Sequence, residues 1–411
     1  GYAARHLGRT FLCDFPGAPQ GFAVSVAGTT SDFFMGPDDA DGFVESVGAD
    51  SGGALKFIVS SEDLLFLTTR GLYYQQTRDG TAITPQTIRP VRFSRKGCNR
   101  ITPVAVDDGC VFVDAVGQQV QAAVLAGDIY KSWRVQDISK YHSHLINRVD
   151  YIGATASGSE TPESFIYIIN RDGTAAVCQW DRENDVLAWK PWETEGDFRS
   201  MYQCFGKTYA VVDRLIAGVP RRFRERFEFD VVLDCVAAVR ISEGNPEGYE
   251  GANYFGGTTA FATHLEGHTG TVWLDGWDIG DYAINAAGKP VDGSGAVIDY
   301  PDYAGIAQVG LVFAKRIVPW SRRSVRTQRG TRAVKRLVEI YVTVQNTTEF
   351  EITGVRKGGY RTGEDMTVPP PRRAEQFRET FVGKGGFDRT AIEQNRPGFL
   401  RILKLGFRVT V

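Results

Sequence analysis

The amino-acid sequence predicts an all-β protein, with propeller-like antiparallel blades followed by a β-sandwich or barrel-like domain. Short runs of β-branched and aromatic residues recur along the chain, and glycine, aspartate and asparagine separate them. Almost no apolar pattern keeps a helical spacing for more than two turns. The chain has 411 residues, of which 42% are hydrophobic and 23% charged, so we expect two or more domains.

The clearest strand-turn-strand unit lies in the first half of the chain. An apolar run at 165–169 is followed by a turn at 171–173, a run at 175–180, a polar corner at 181–184 and a run at 186–189. Three strands joined by such tight turns form a small antiparallel sheet, because an Asp-Gly pair can supply the positive φ angles of a hairpin. Similar units precede and follow it, and repeated sheets of this kind are typical of propeller blades.

The chain changes character near residue 215, and we predict three segments. Residues 1–215 form the propeller-like domain, and residues 216–345 form a β-rich platform and interface domain with acidic and then basic stretches. Residues 346–411 form a C-terminal β segment that packs on the platform. Its last strand shows a largely period-two pattern over 399–411.

Overall composition excludes several functions. Lys and Arg number 47 against 49 Asp and Glu, so the protein has no global basic field for nucleic acid or an anionic membrane. No apolar run approaches the roughly 18 residues of a membrane span, and no signal peptide is visible, so we expect a soluble protein made in a cytoplasm. The six cysteines are scattered without a CxxC pair, which favours buried, reduced thiols.

Charge is polarised along the second half. Ten acidic residues and one base lie between 241 and 302, whereas nine bases and no acid lie within 315–336. Three interpretations of the basic stretch remain open: a solvated face, a contact that matches the acidic segment of a neighbouring subunit, or a groove for duplex DNA. The stretch has little aromatic content beyond Trp320, so it lacks the stacking platforms of a single-strand binder.

Candidate metal ligands are few. His142 and His144 would share a face of a strand, but their surroundings favour a short helix or corner, where residues two apart diverge. His264 and His268, with Glu266 as a third ligand, could bind a metal, but their spacing suits a strand and its turn equally well. A loop rich in carboxylates offers oxygen ligands of the kind that calcium prefers, but it lacks EF-hand spacing and is better explained as a solvated turn. Its members are Asp32, Asp38, Asp39 and Asp41.

No motif for a catalytic nucleophile, a phosphate loop, a dinucleotide or a zinc protease is present, so the sequence predicts neither an enzyme nor a cofactor. One alternative is a propeller that binds or hydrolyses carbohydrate, because several tryptophans offer surfaces for stacking sugars, although such side chains more often fill blade cores. These tryptophans are Trp180, Trp189, Trp192, Trp273 and Trp277.

Several motifs, taken in order, resemble the tail nozzle proteins of short-tailed bacteriophages, also described as tail-tube hub or DNA-stabilisation proteins. They lie at 4–11, 31–40, 60–71, 108–114, 135–139, 144–146, 171–173, 188–190, 212–214, 222–227, 263–267 and 273–276. No single motif is specific, and the resemblance, which covers about two-thirds of the chain, rests on their order. Residues after Glu351 resemble this family only in their general sequence character. The family usually has a further segment before the first strand, so we expect the propeller-like domain to be incomplete here.

The resemblance implies a structural protein of the virion, synthesised in the host bacterial cytoplasm. A homo-oligomeric ring of about six subunits would lie beneath the portal and adaptor, contact tail fibre or tail-tip proteins, and conduct double-stranded DNA without entering a membrane itself. A channel wall must not trap DNA, so we expect acidic residues to face the channel. These are Asp275, Asp278 and Asp281. The expected contacts with a neighbouring subunit or DNA phosphate are Arg322, Arg323, Arg326, Arg329 and Arg332.

Overall fold

The protein is all-β, as the sequence predicts. Its strands pair antiparallel, and the described residues contain no α-helix but two short 3-10 helices, Ser143–Leu145 and Thr263–Leu265. The structure, a computed structural model, describes residues 1–48, 53–77, 79–106, 109–126, 133–155, 164–182, 184–228, 231–240, 260–274, 276–298, 306–319, 324–326, 332–334, 336–381 and 390–410.

The chain divides into two compact units. The first comprises Gly1–Arg214 with Arg221–Phe227, and the second comprises Leu215–Pro220 with Glu228–Val411. The three predicted segment boundaries stay a prediction.

Five antiparallel sheets follow one another over the residues 2–226, and in each the strands keep chain order. The first sheet contains β1 (Tyr2–His6), β2 (Arg9–Phe15), β3 (Ala18–Val24) and β4 (Phe43–Ser46). The second contains β5 (Leu55–Ser60), β6 (Leu64–Thr68), β7 (Gly71–Gln75) and β8 (Val91–Ser94). The third contains β9 (Val104–Val106), β10 (Gly109–Val113), β11 (Val120–Leu125) and β12 (Trp133–Asp137).

The fourth and fifth sheets continue the series. The fourth contains β13 (Val149–Ala154), β14 (Phe165–Asn170), β15 (Ala175–Asp181) and β16 (Val186–Trp192). The fifth contains β17 (Asp197–Cys204), β18 (Lys207–Ile216) and β19 (Val219–Arg226). The strands predicted at 165–189 are thus β14, β15 and β16, and β13 completes their sheet.

Each of these sheets buries a face against the next one along the chain. The first and second sheets share a core in which the rings of Phe22 and Phe66 lie 5.1 Å apart. Leu65, the neighbour of Phe66 in β6, points the other way into a core with Phe112 of the third sheet. Strand β6 is therefore buried on both faces, which explains its continuous apolar sequence.

The fourth sheet repeats this arrangement. Ile168 of β14 packs with Val111 of the third sheet, and its neighbour Tyr167 packs with Met201 of the fifth. In the fifth sheet β18 instead alternates between buried and half-buried residues, as a strand does when one face packs on a core.

At three of the four junctions between successive sheets the first strands contact each other, whereas the second and third sheets contact through their last strands, β8 and β12. Strand β1 contacts β5, β9 contacts β13, and β13 contacts β17. Gly153 allows β13 to lie close to β17, because a Cβ atom at this position would lie 2.0 Å from the carbonyl oxygen of Met201. First strands therefore form the contact at three of the four junctions.

A chain of buried polar contacts also joins three sheets. In His6 of β1, Nδ1 lies 2.8 Å from the Ser60 hydroxyl and Nε2 lies 2.8 Å from the Thr77 hydroxyl. The buried Asp63 accepts from the backbone N–H of Thr77 and from Nε1 of Trp133, which belongs to the third sheet. These contacts satisfy polar groups that would otherwise oppose stacking.

The second unit contains four sheets of described strands. The largest, in the order β20-β24-β21-β22-β23, contains β20 (Asp234–Arg240), β21 (Thr269–Leu274), β22 (Trp277–Ile284), β23 (Pro290–Val291) and β24 (Ile306–Leu311). A four-stranded sheet, in the order β25-β32-β29-β30, contains β25 (Lys315–Ile317), β29 (Phe350–Ile352), β30 (Val355–Lys357) and β32 (Ile392–Gln394). A two-stranded ribbon contains β26 (Ser324–Arg326) and β27 (Arg332–Val334). The last sheet, in the order β31-β28-β33, contains β28 (Arg336–Val344), β31 (Gln376–Thr380) and β33 (Ile402–Thr410).

Strands from both sides of residue 345 share two of these sheets, since β25 pairs with β32 and β28 pairs with β31 and β33. A core that includes Ile340, Phe350 and Ile392 holds them together. The predicted sandwich or barrel-like closure of this half stays a prediction.

Candidate functional site

Two of the five predicted contact arginines lie in the two-stranded ribbon of the second unit. Arg326 of β26 and Arg332 of β27 are register partners, so the ribbon places two basic residues opposite each other. Among the strands that the structure describes, β26 and β27 pair only with each other. Arg322, Arg323 and Arg329 lie outside the described residues.

Two of the three predicted acidic residues form an ion-pair cluster on β22. Arg396, which follows β32, donates from Nε to Asp278 at 2.6 Å and from Nη1 to Asp281 at 2.8 Å. Asp281 also accepts from the Thr271 hydroxyl at 2.5 Å. Asp275 lies outside the described residues.

Electrostatics at this cluster favours the charged forms. Burial opposes ionisation of Asp281, but the hydrogen bonds from Thr271 and Arg396 outweigh it and lower its pKa. The hydrogen bond to Asp278 raises the pKa of Arg396. Arg396 therefore offsets part of the negative charge expected on this surface, and the sequence analysis missed it because 115 residues separate it from Asp281.

The histidines make local contacts. The rings of His142 and His144 lie 6.1 Å apart, and His142 stacks on Trp189. Burial, followed by the nearby His144, lowers the pKa of His142. His264 Nε2 lies 2.8 Å from the carbonyl oxygen of Cys235. Within the described part of the chain, no three His, Cys, Asp or Glu side chains are placed to share a metal ion.

The carboxylate-rich loop before β4 closes around a cation that the protein itself supplies. Arg9, which is 5% exposed, donates to the backbone carbonyl groups of Ser25, Asp39 and Asp41. The Asp41 carboxylate accepts from the backbone N–H of Asp38. The guanidinium group of Arg9 thus binds carbonyl oxygens of this loop, a contact that neither the solvated-turn interpretation nor the calcium alternative includes.

The cysteines are all free thiols. Cys13, Cys98, Cys110 and Cys178 are buried, and burial raises the pKa of each to about 12, so they are inert core residues as predicted. Cys204 is exposed, against the expectation, because it lies beside the hairpin turn between β17 and β18.

A pocket of about 530 Å³ opens between the third and fourth sheets. The start of β13 and the segment before β9 line it, together with the turns after β10 and β14. Three arginines and one aspartate are its charged residues: Arg100, Arg148, Arg171 and Asp150. No local sequence pattern marks this site, because its residues come from four separate segments.

Comparison with protein-family models and with curated proteins found no match to this chain. Among the described residues there is no apolar helix of membrane-spanning length.

Proposed function

We propose that the chain is a structural, non-enzymatic subunit of the tail nozzle of a short-tailed bacteriophage. About six copies form a ring below the portal and adaptor, and the ring retains and then conducts the double-stranded DNA genome during ejection. The protein belongs to the virion after synthesis in the host bacterial cytoplasm. Its further partners are tail fibre or tail-tip proteins, and it uses no cofactor.

The observation that carries the proposal is the series of consecutive antiparallel sheets in the first unit. Each is a meander, successive sheets share buried cores, and first strands contact each other at three of the four junctions. Propeller blades have this organisation around a central channel. We infer a propeller-like domain, and the ordered motifs that resemble nozzle proteins assign that domain to a phage tail.

The basic ribbon supports a role in assembly. A two-stranded ribbon is only marginally stable in water by itself, and β26 and β27 bring Arg326 and Arg332 opposite each other. Contact with an acidic surface of a neighbouring subunit, or with DNA phosphate, would stabilise it. The candidates for the channel wall stay Asp275, Asp278 and Asp281. The candidates for the interface stay Arg322, Arg323, Arg326, Arg329 and Arg332.

The packing of the tryptophans favours the structural role over the carbohydrate-related alternative. Trp180 and Trp189 pack against the core between the third and fourth sheets, and Trp192 packs against the core between the fourth and fifth. Trp273 is buried and Trp277 packs on the core of the largest sheet in the second unit. Trp273 is buried, and the other four are half-buried, so these contacts use part of the ring surface that stacking of a sugar would need.

The first test is the mass and symmetry of the purified protein, by light scattering and negative-stain imaging at low and moderate salt. Rings of about six copies with a central hole are the expected result. A monomer that binds members of a glycan array would instead support the carbohydrate-related propeller and reject the nozzle.

Charge reversal tests the interface. The variant with Arg322→Glu, Arg323→Glu and Arg326→Glu should not form rings, because like charges would then face each other across the contact. A control with Arg5→Glu, Arg95→Glu and Arg134→Glu makes the same change at exposed positions of the first unit and should assemble normally. Intact rings from the first variant would remove these arginines from the interface.

A further inference from the structure

The pocket between the third and fourth sheets carries a net positive charge. Its lining has three arginines against one aspartate, so the charge balance is about +2. Backbone groups also form its wall. The N–H of Val149 in β13 donates to the carbonyl oxygen of Gly117, in the turn after β10, at 3.3 Å. The site is therefore a concave basic surface on a rigid sheet framework.

Two of the arginines have no carboxylate partner within the part of the chain that the structure describes. Arg148 and Arg171 are held side by side, because the backbone N–H of Arg171 donates to the carbonyl oxygen of Arg148 at 3.0 Å. The nearby Asp172 is already engaged, since it accepts from the Asn147 side chain at 2.8 Å and from the Thr174 hydroxyl at 2.7 Å. Arg148 and Arg171 are thus two exposed arginines beside each other at the pocket between the third and fourth sheets.

The third arginine shares its partner with a lysine. Arg100 donates to Asp14 at 2.8 Å, but Asp14 also accepts from Lys56 at 2.6 Å. The hydrogen bond from Lys56 is the largest contribution that lowers the pKa of Asp14. One carboxylate therefore faces two cations, and Arg100, whose side chain is 74% exposed, retains donors for a ligand.

The position of the pocket in the fold suits a ligand site. Strands β9 and β13 contact each other, and the pocket lies where both strands begin. The turns that complete it are short and fixed by hydrogen bonds, such as that from the backbone N–H of Gly173 to Asn170. Strands and hydrogen-bonded turns fix the backbone from which the three arginine side chains extend.

From this arrangement we propose that the pocket binds a phosphoryl group through Arg100, Arg148 and Arg171. Guanidinium groups present paired N–H donors that match two oxygens of a phosphate, and several of them around one concave site favour a multiply charged oxyanion. The phosphate has two possible sources with the same chemistry, a free phosphate ester or the backbone of a nucleic acid. The inference does not depend on the proposed nozzle function.

Isothermal titration with inorganic pyrophosphate, in a phosphate-free and sulfate-free buffer, tests the proposal. Wild-type protein should bind pyrophosphate, and the variant with Arg148→Gln and Arg171→Gln should bind at least about tenfold more weakly, because two charge-assisted contacts are lost. The control with Arg5→Gln and Arg134→Gln lowers the net charge equally outside the pocket and should stay within about twofold of wild type. Absence of binding to wild type, or equal weakening in the two variants, would overturn the proposal.

Two further measurements complete the test. Pyrophosphate should protect Arg148 and Arg171 of the wild-type protein from modification by phenylglyoxal, which peptide mass mapping detects. Because this experiment needs no variant, it stays informative even if the variants misfold. Modification of both arginines in the presence of pyrophosphate would contradict the site. A short DNA duplex that displaces pyrophosphate from wild type would assign the site to a nucleic-acid backbone. Binding of pyrophosphate without such displacement would assign it to a free phosphate ester.

Discussion

At the scale of single residues, the contacts that join the sheets depend on a few buried polar groups. Asp63 is fully buried and receives hydrogen bonds from Thr77 and Trp133, while His6 contacts Thr77 and Ser60. A buried polar group that loses its partner destabilises the fold by about 1–3 kcal/mol. The protonation state of His6 should therefore influence how firmly the first sheet packs.

We predict that stability decreases as the pH falls through the range near 6.5. Burial lowers the pKa of His6, although the Asp63 charge partly opposes this, so the unfolded chain binds a proton at a higher pH than the folded protein. The unfolding free energy, measured in urea, should fall from pH 7.5 toward pH 5 and level off below the folded pKa. In His6→Gln the decrease should be smaller, and an identical pH profile would contradict the assignment.

At the scale of elements, the close approach of first strands determines the spacing of the stack. Gly153 in β13 faces the backbone of β17, where a methyl group would overlap the Met201 carbonyl oxygen. The neighbouring strands cannot move apart without opening the core around Tyr167 and Met201. A glycine in a strand interior is here explained by this backbone contact.

We predict that Gly153→Ala destabilises the protein by about 1–3 kcal/mol, the usual effect of overpacking. The matched control is Gly17→Ala, because a Cβ atom at Gly17 would meet no atom within 4 Å. Denaturation followed by tryptophan fluorescence compares the two variants. Equal denaturation midpoints would show that β13 and β17 can move apart without loss of stability.

At the scale of the whole molecule, charges that are separated in sequence combine in space. The acidic segment at 241–302 supplies Asp278 and Asp281, and Arg396 from a distant segment binds both. The charge balance of this surface therefore differs from the balance of its sequence segment. A channel wall built from it would be less acidic than the segment alone predicts.

We predict that Arg396→Gln destabilises the second unit modestly, by about 1 kcal/mol, since the groups are partly exposed and solvent screens them. Two neighbouring carboxylates would then repel each other, so the effect should be larger at low salt than at high salt. The control Arg401→Gln changes the same charge at another exposed position. Equal effects of both variants at every salt concentration would contradict the role of the cluster.

The all-β class and the strands of the clearest unit follow from local sequence signals, namely period-two patterns and turn residues. The hairpin between β17 and β18 departs from the usual turn preference, because Phe205 adopts a positive φ of 49° where asparagine, aspartate or glycine is favoured. Only the tertiary structure decided which sheet faces pack together, that Arg396 binds Asp278 and Asp281, and that Arg100, Arg148 and Arg171 line one pocket. The physical reason is that these contacts join residues far apart in the chain, where periodicity and turn chemistry carry no information about the partner.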